Sequence, residues 1–134
     1  MIQLKLPAEV ERLGTFLGIV EQFAHDQGFA PPRIRKLLLV MEEALLNVVH
    51  YAYGHEGGEV EIRCWEETGA IFIEVRDQGQ PFNPLNVPDP DLSADIPSRR
   101  VGGLGIFLIR NIADGVWYTR EDHNNILKIM VRNT

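Results

Sequence analysis

Three groups of residues in this sequence carry side chains or backbone suited to chemistry. Glu43, Asn47 and His50 follow one another at steps of four and three, so a helix places them on one polar stripe. Neighbouring positions on that helix are apolar, and an amide or carboxylate near apolar surroundings must find a partner or lose about 1–3 kcal/mol. The stripe is therefore a solvated face, an internal hydrogen-bond network, or a metal-and-base pair. In the last case the amide oxygen of Asn47 is a hard ligand that suits Mg²⁺. Glu43, one turn earlier, would orient or deprotonate a nucleophile. Glu42 points about 100° away from Glu43 and ranks below it. His50 alone reads as a structural histidine.

The second group is Asp77-Gln78-Gly79. An ionised carboxylate is acceptor-only, so Asp77 suits an exocyclic amine such as that of adenine. Gly79 permits an unusual backbone angle or the close approach of a flat ring. The same three residues also make an ordinary turn. The third group, Gly102-Gly103-Leu104-Gly105, precedes the apolar run Ile106-Phe107-Leu108-Ile109. Glycines at a helix start let backbone N–H groups face a phosphate, which the helix dipole favours; the alternative is a flexible loop ending in a helix. No Lys-Ser/Thr follows, so this is not a P-loop, and no βαβ unit surrounds it as a dinucleotide fingerprint requires.

The elements that must hold these groups are legible from periodicity. Ile2–Leu6 alternates as a short strand. A helix is predicted from Ala8-Glu9 to about Gln27, ended by Gly28, with Val10, Leu13, Leu17, Val20 and Ala24 at helical spacing. A second runs from Pro31-Pro32 to Tyr53, with Gly54 as its stop. Its core face is read as Ile34, Leu38, Met41, Leu45, Val48 and Ala52, widened by Leu37, Val40 and Ala44. The period then becomes two: Val60, Ile62 and Cys64 share one strand face, and Ile71, Ile73 and Val75 share the next, joined through Glu67-Thr68-Gly69. Residues 77–100 are rich in Pro and Asp and too long for an ordinary connection, which marks a functional loop or lid. A helix from Gly103 to Ala113 follows, then strands Val116–Glu121 and Ile126–Arg132 joined through residues 122–125. The order predicts an α+β domain: a mixed, mainly antiparallel sheet with three helices on one face.

Composition narrows the function classes. One domain spanning residues 1–134, 45% hydrophobic, has apolar material for a core without staples. A net charge of −6 makes a poor non-specific nucleic-acid binder, and the one adjacent basic pair of note, Arg99-Arg100, lies beside the glycines. Cys64 alone forms neither an internal disulfide nor a zinc pair, and it reads as a buried small residue. No apolar run approaches the ~18 residues of a membrane span. No basic n-region opens the sequence, so a cytoplasmic protein is expected.

The order of the three groups is more specific than any one of them. Glu43-Ala44-Leu45-Leu46-Asn47-Val48-Val49-His50 resembles the N box of the GHKL ATPases, the superfamily of gyrase, Hsp90, histidine kinases and MutL. Asp77-Gln78-Gly79 is similar to its adenine box, and Gly102-Gly103-Leu104-Gly105 to its second glycine box. The resemblance covers nearly the whole chain and implies the two-layer, Bergerat-type ATP-binding fold. The Glu-Ala-x-x-Asn run from Glu43 to Asn47, with His50 and Tyr53 after it, and the small size resemble the anti-sigma-factor serine kinases of bacteria. It implies Mg²⁺ on Asn47, Glu43 as base toward a serine hydroxyl, and Asp77 on the adenine amino group with Gly79 beside the ring. It further implies phosphates on Gly103 and Gly105, flanked by Gly102 and Leu104, with His50 in the nucleotide site. Residues 84–101 would be the ATP lid. The implied partners are an anti-anti-sigma, STAS-type protein, a sigma factor, and a second copy in a homodimer.

The departures are specific. Pro81 stands where the broad superfamily often has a second glycine, while Phe82-Asn83-Pro84 resembles the Phe-Asp-Pro variant of the serine-kinase branch. Arg100 is the candidate for the terminal phosphate, one position out of register, with Arg99 as the alternative. Two competing readings are a non-catalytic regulator that only sequesters a partner and the catalytic fragment of a histidine kinase. The second would use His25-Asp26, but a dimerising hairpin plus an ATPase domain exceeds this length, and His25 reads as a surface helix residue.

Overall fold

The computed structural model describes residues 1–86 and 103–134, with the side chains of 103 and 104 left aside. The chain runs β1 (Ile2–Pro7), α1 (Leu13–Asp26), α2 (Pro31–Tyr51), β2 (Glu59–Glu67), β3 (Ala70–Asp77), α3 (Gly103–Ile112), β4 (Gly115–Glu121) and β5 (Asn124–Arg132). Single 3₁₀ turns lie at Val10–Arg12 and Pro84–Asn86. The strands form one sheet in the order β1-β2-β3-β5-β4. Every pairing among the described residues is antiparallel, so the expected mixed sheet resolves to a fully antiparallel one.

One sheet face and the three helices enclose the core. Val60, Ile62 and Cys64 of β2, Ile71, Ile73 and Val75 of β3, and Leu127, Ile129 and Val131 of β5 point into it. Phe16 and Val20 of α1, Leu37, Met41 and Leu45 of α2, and Ile109 of α3 meet them and are all but inaccessible. Each such side chain contributes about 1.5–3 kcal/mol relative to exposure, which explains a fold without disulfides. The buried face of α2 is centred on Leu37, Val40, Met41, Ala44, Leu45 and Val48; Leu38, read from sequence as core, is only half-buried at its border. The other sheet face carries a stack of Trp65, Phe72 and Trp117, with the Lys128 ammonium over the last two rings.

Local chemistry sets the boundaries. The first helix starts later than Ala8-Glu9 because the Ala8 N–H donates to Gly58 O and Glu9 is extended, which ties this segment to the start of β2. Gly28 ends it with φ +79. Pro31 opens α2, where its missing N–H costs nothing. Both late hairpins turn on two residues with positive φ, Thr68-Gly69 and Asp122-His123. That geometry matches the twist of paired strands. The second turn is thus shorter than the predicted 122–125, and Asn124 and Asn125 belong to β5. No helix among the described residues is long and apolar enough to cross a membrane.

Candidate functional site

The α2 helix lies on the sheet so that its C-terminal half faces the end of β3. Between them is a narrow cleft. Ala44, Asn47, Val48, Tyr51 and Ala52 of α2 form one wall, and Val75 and Asp77 of β3 face them. Phe82 and Pro84, with Tyr118 of β4 and Asn125 and Leu127 of β5, complete the lining. The Tyr51 and Phe82 rings stack at 6.5 Å and 30°. The walls are thus apolar or aromatic, with a few polar atoms.

Asp77 is the most constrained of these. It is buried at the last position of β3, and its Oδ1 accepts the Gly79 N–H at 2.9 Å and the Asn125 amide at 2.8 Å. Burial pushes the Asp77 pKa up, while Asn125, the Gly79 N–H and the Arg120 guanidinium pull it back toward the ionised form. Arg120 itself donates to Gly79 O at 2.8 Å. Gly79 has no positive φ, so an unusual backbone angle does not call for glycine there, but close packing does. A Cβ there would sit 2.0 Å from the backbone oxygen of Ala52, where α2 ends. The same Ala52 oxygen accepts the Gln80 N–H at 3.2 Å. Nearby, Tyr53 accepts the Gln78 N–H and donates to Glu59 O, which holds the start of this loop to β2.

Asn47 lines the cleft and Glu43 lies one turn before it. Neither side chain makes a hydrogen bond or ion pair among the described residues. Glu43 is half-buried, and burial followed by the charge of Glu42 raises its pKa. A Cβ on Gly105 would lie 2.5 Å from Glu43 Oε2, so the carboxylate abuts the first turn of α3. His50 is exposed, touches Tyr51 edge-on at 6.1 Å, and lies outside the cleft lining. Gly103 opens α3 and Leu104 follows within it. Arg99, Arg100, Gly102 and residues 87–101 of the expected lid lie outside the described residues.

Asn125 and Tyr118 were missed by sequence reading. The Tyr118 hydroxyl donates to Asn125 Oδ1 at 2.5 Å, so a polar chain runs from half-buried Tyr118 through buried Asn125 to Asp77. The usable signal was an amide immediately before the apolar alternation of the last strand. Chemically, the cleft offers an acceptor-only carboxylate at the end of β3 and apolar walls for a flat ring. It also offers the uncommitted Asn47 amide, and the Glu43 carboxylate, its pKa raised by burial, lies one helical turn away.

Three helices on one face of this antiparallel sheet, with a buried carboxylate closing a cleft beneath the second helix, define the Bergerat-type fold. Residues 6–131 match the family model described as the histidine kinase-like ATPase domain, and the chain belongs to that family. It is 32% identical over 121 residues to the serine-protein kinase RsbW of Bacillus velezensis, covering 86% of this chain and 75% of that one. Among solved structures, the RsbU and RsbW domains of Rv1364c from Mycobacterium tuberculosis match with a TM-score of 0.71 and 13% identity. That match covers 98% of this chain and 31% of the other, so this chain spans about a third of that protein's length. The SiaB-SiaC complex from Pseudomonas aeruginosa matches with a TM-score of 0.64 and 13% identity, covering 98% and 88%. At these identities the two structures speak for the fold alone.

Proposed function

We infer that this chain is an ATP-dependent protein-serine kinase and anti-sigma regulatory factor that phosphorylates a small anti-anti-sigma, STAS-type partner. The observation that carries the reading is that Asp77 and Asn47 line one cleft, while Glu43 lies one helical turn from Asn47 and abuts the first turn of α3 at Gly105. The kinase name of the similar RsbW sequence supports the reaction type.

In this reading Asp77 accepts the adenine amino group, and Val75, Val48, Tyr51 and Phe82 enclose the ring. Backbone N–H groups at Gly102, Gly103, Leu104 and Gly105 hold the phosphates, helped by the positive end of α3. Residues 84–101 cover the nucleotide as a lid, and Arg100, or Arg99 beside it, meets the terminal phosphate. The uncommitted Asn47 amide fits a magnesium ion, which takes oxygen ligands and few of them from protein. When bound, the ion neutralises phosphate charge. Glu43 accepts the proton of the partner's serine hydroxyl as the serine oxygen bonds to the γ-phosphorus; the bond to the bridging oxygen breaks and ADP leaves. A raised Glu43 pKa serves this step, since a base works best with a pKa near the working pH. His50, exposed on the same helix, completes the nucleotide-site residues of this reading. A sigma factor and a second copy are its further expected partners, and the cytoplasm its expected location.

Two measurements test it together. ATP with magnesium at 100 times its dissociation constant raises the unfolding free energy by about 2.7 kcal/mol. Glu43→Ala keeps that shift but loses transfer of labelled phosphate to a STAS-type partner. Absence of any thermal shift would remove nucleotide binding. Transfer at the wild-type rate in Glu43→Ala would remove Glu43 as the base.

A further inference from the structure

The buried amide of Asn125 is bonded to its full capacity. Its two N–H groups go to Asp77 Oδ1 at 2.8 Å and to Gln80 O at 2.9 Å. Its oxygen accepts the Tyr118 hydroxyl at 2.5 Å and the Phe82 N–H at 3.4 Å. A rotated amide would set its oxygen against two acceptors, so the orientation is fixed. Asn125 has nothing left to offer a ligand, and its effect must pass through what it holds.

What it holds is Asp77. Both donors to that carboxylate, the Gly79 N–H and the Asn125 amide, converge on Oδ1. No donor reaches Oδ2 among the described residues, yet no buried polar side-chain atom there lacks a partner, so Oδ2 opens onto the cleft. An ionised carboxylate with one oxygen occupied and the other open can only accept. It favours a 6-amino purine and repels a 6-oxo purine, which presents an acceptor at the same place. Burial works against that ionised state, and Asn125 is the side chain whose hydrogen bond opposes it.

We propose that Asn125 is a specificity-determining positioning residue: by donating to Asp77 Oδ1 it keeps Asp77 an oriented acceptor, and so makes the cleft select 6-amino over 6-oxo purine nucleotides. The proposal rests on the reading of the cleft as a nucleotide site. Without the donor, Asp77 can rotate or take up a proton. A protonated carboxyl donates as well as accepts, and the distinction between the two purines fades.

The test is a comparison of ATP with inosine triphosphate, which differs by a carbonyl in place of the amine, by titration calorimetry. A hydrogen bond to a charged group implies a wild-type preference for ATP of ~10–100-fold. Asn125→Thr and Asn125→Val have nearly the same shape, suit a strand, and both lose the amide bond to Gln80 O. They differ by one hydroxyl donor beside Asp77. Asn125→Thr keeps at least a tenfold preference for ATP, while in Asn125→Val the two nucleotides bind within about threefold of each other. General loosening of the site would weaken both variants alike and leave the ratio unchanged. If Asn125→Val does not fold, Asn125→Ser against Asn125→Ala makes the same comparison with smaller residues. Equal ratios within a pair, with wild type still preferring ATP, overturn the Asn125 assignment alone. A wild-type chain that binds neither nucleotide overturns the nucleotide reading and this proposal with it.

Discussion

Two glycines separate what the fold needs from what the reaction needs, and alanine at each gives opposite results. At Gly79 a Cβ would lie 2.0 Å from Ala52 O, 2.6 Å from its carbonyl carbon and 2.9 Å from its Cα. All three are backbone atoms, and the oxygen falls about 1.4 Å inside ordinary contact distance. Neither side yields easily: Ala52 is held through its N–H to Val48 O, and Gly79 through its N–H to Asp77 and its oxygen to Arg120. Overpacking of this kind costs about 1–3 kcal/mol, and losing the Gln80-to-Ala52 hydrogen bond adds about 1 kcal/mol. For a chain of this size that total lowers Tm by roughly 6–16 °C. At Gly105 the obstacle is Glu43 Oε2 at 2.5 Å, the end of a flexible, half-buried side chain that can swing away. Alanine in a helix is favoured over glycine by up to about 1 kcal/mol, so Gly105→Ala leaves Tm unchanged or slightly raised. The same swing moves the proposed base, and a displacement near 1 Å costs about 10²-fold in rate. Thermal denaturation followed by circular dichroism, beside a labelled-phosphate transfer assay, reads both effects. Gly105→Ala as destabilised as Gly79→Ala, or Gly105→Ala transferring phosphate at the wild-type rate, would refute the reasoning.

Two further outcomes follow from the ionisable groups. Burial and then the Glu42 charge raise the Glu43 pKa above 4.5, so the proposed base is protonated as pH falls through that raised value, and transfer is expected to decline at a higher pH than an ordinary glutamate would give. Glu42→Gln removes the second cause and moves this acid limb to lower pH; a pH–rate profile left in place by the substitution would count against the assignment. Burial pushes the Cys64 thiol up to about 12, so native protein at pH 8 resists alkylation that denatured protein undergoes at once. Rapid labelling of the native state, read by mass spectrometry, would contradict the packing of β2.

The strands and helices were legible because their burial is periodic. Val60, Ile62 and Cys64 alternate, and Leu37, Val40, Met41, Ala44 and Val48 recur at helical spacing, so each element announces its buried face. The site was legible only in part. Glu43, Asn47 and Asp77 stand out as polar residues at apolar positions, and the structure brings them to one cleft and its rim. Asn125 was hidden because its neighbours Asp122, His123 and Asn124 read as a loop. The two positive-φ residues at 122 and 123 complete the turn, which hands Asn125 to β5 and pairs it with Asp77 across the sheet. Pairing between residues 48 positions apart leaves no local trace. Gly79 was hidden in a different way, since the sequence shows a glycine but not that α2 ends against it.

The polar atoms of the cleft divide into two kinds, and the division argues for a ligand. Asn125, Tyr118 and Asp77 Oδ1 are fully engaged with one another and with the loop at Gln80. Asp77 Oδ2, the Asn47 amide and the Glu43 carboxylate have no partner among the described residues, although each borders apolar surroundings. None of these atoms is fully buried, so each stays within reach of a ligand entering the cleft or its rim. The engaged set fixes the geometry, and the uncommitted set supplies the acceptor, the hard oxygen ligand and the base that the proposed reaction calls for. Functional sites are where local rules of stability are broken in this way. Here the breaks follow a single line from the end of β3, along α2, to the first turn of α3.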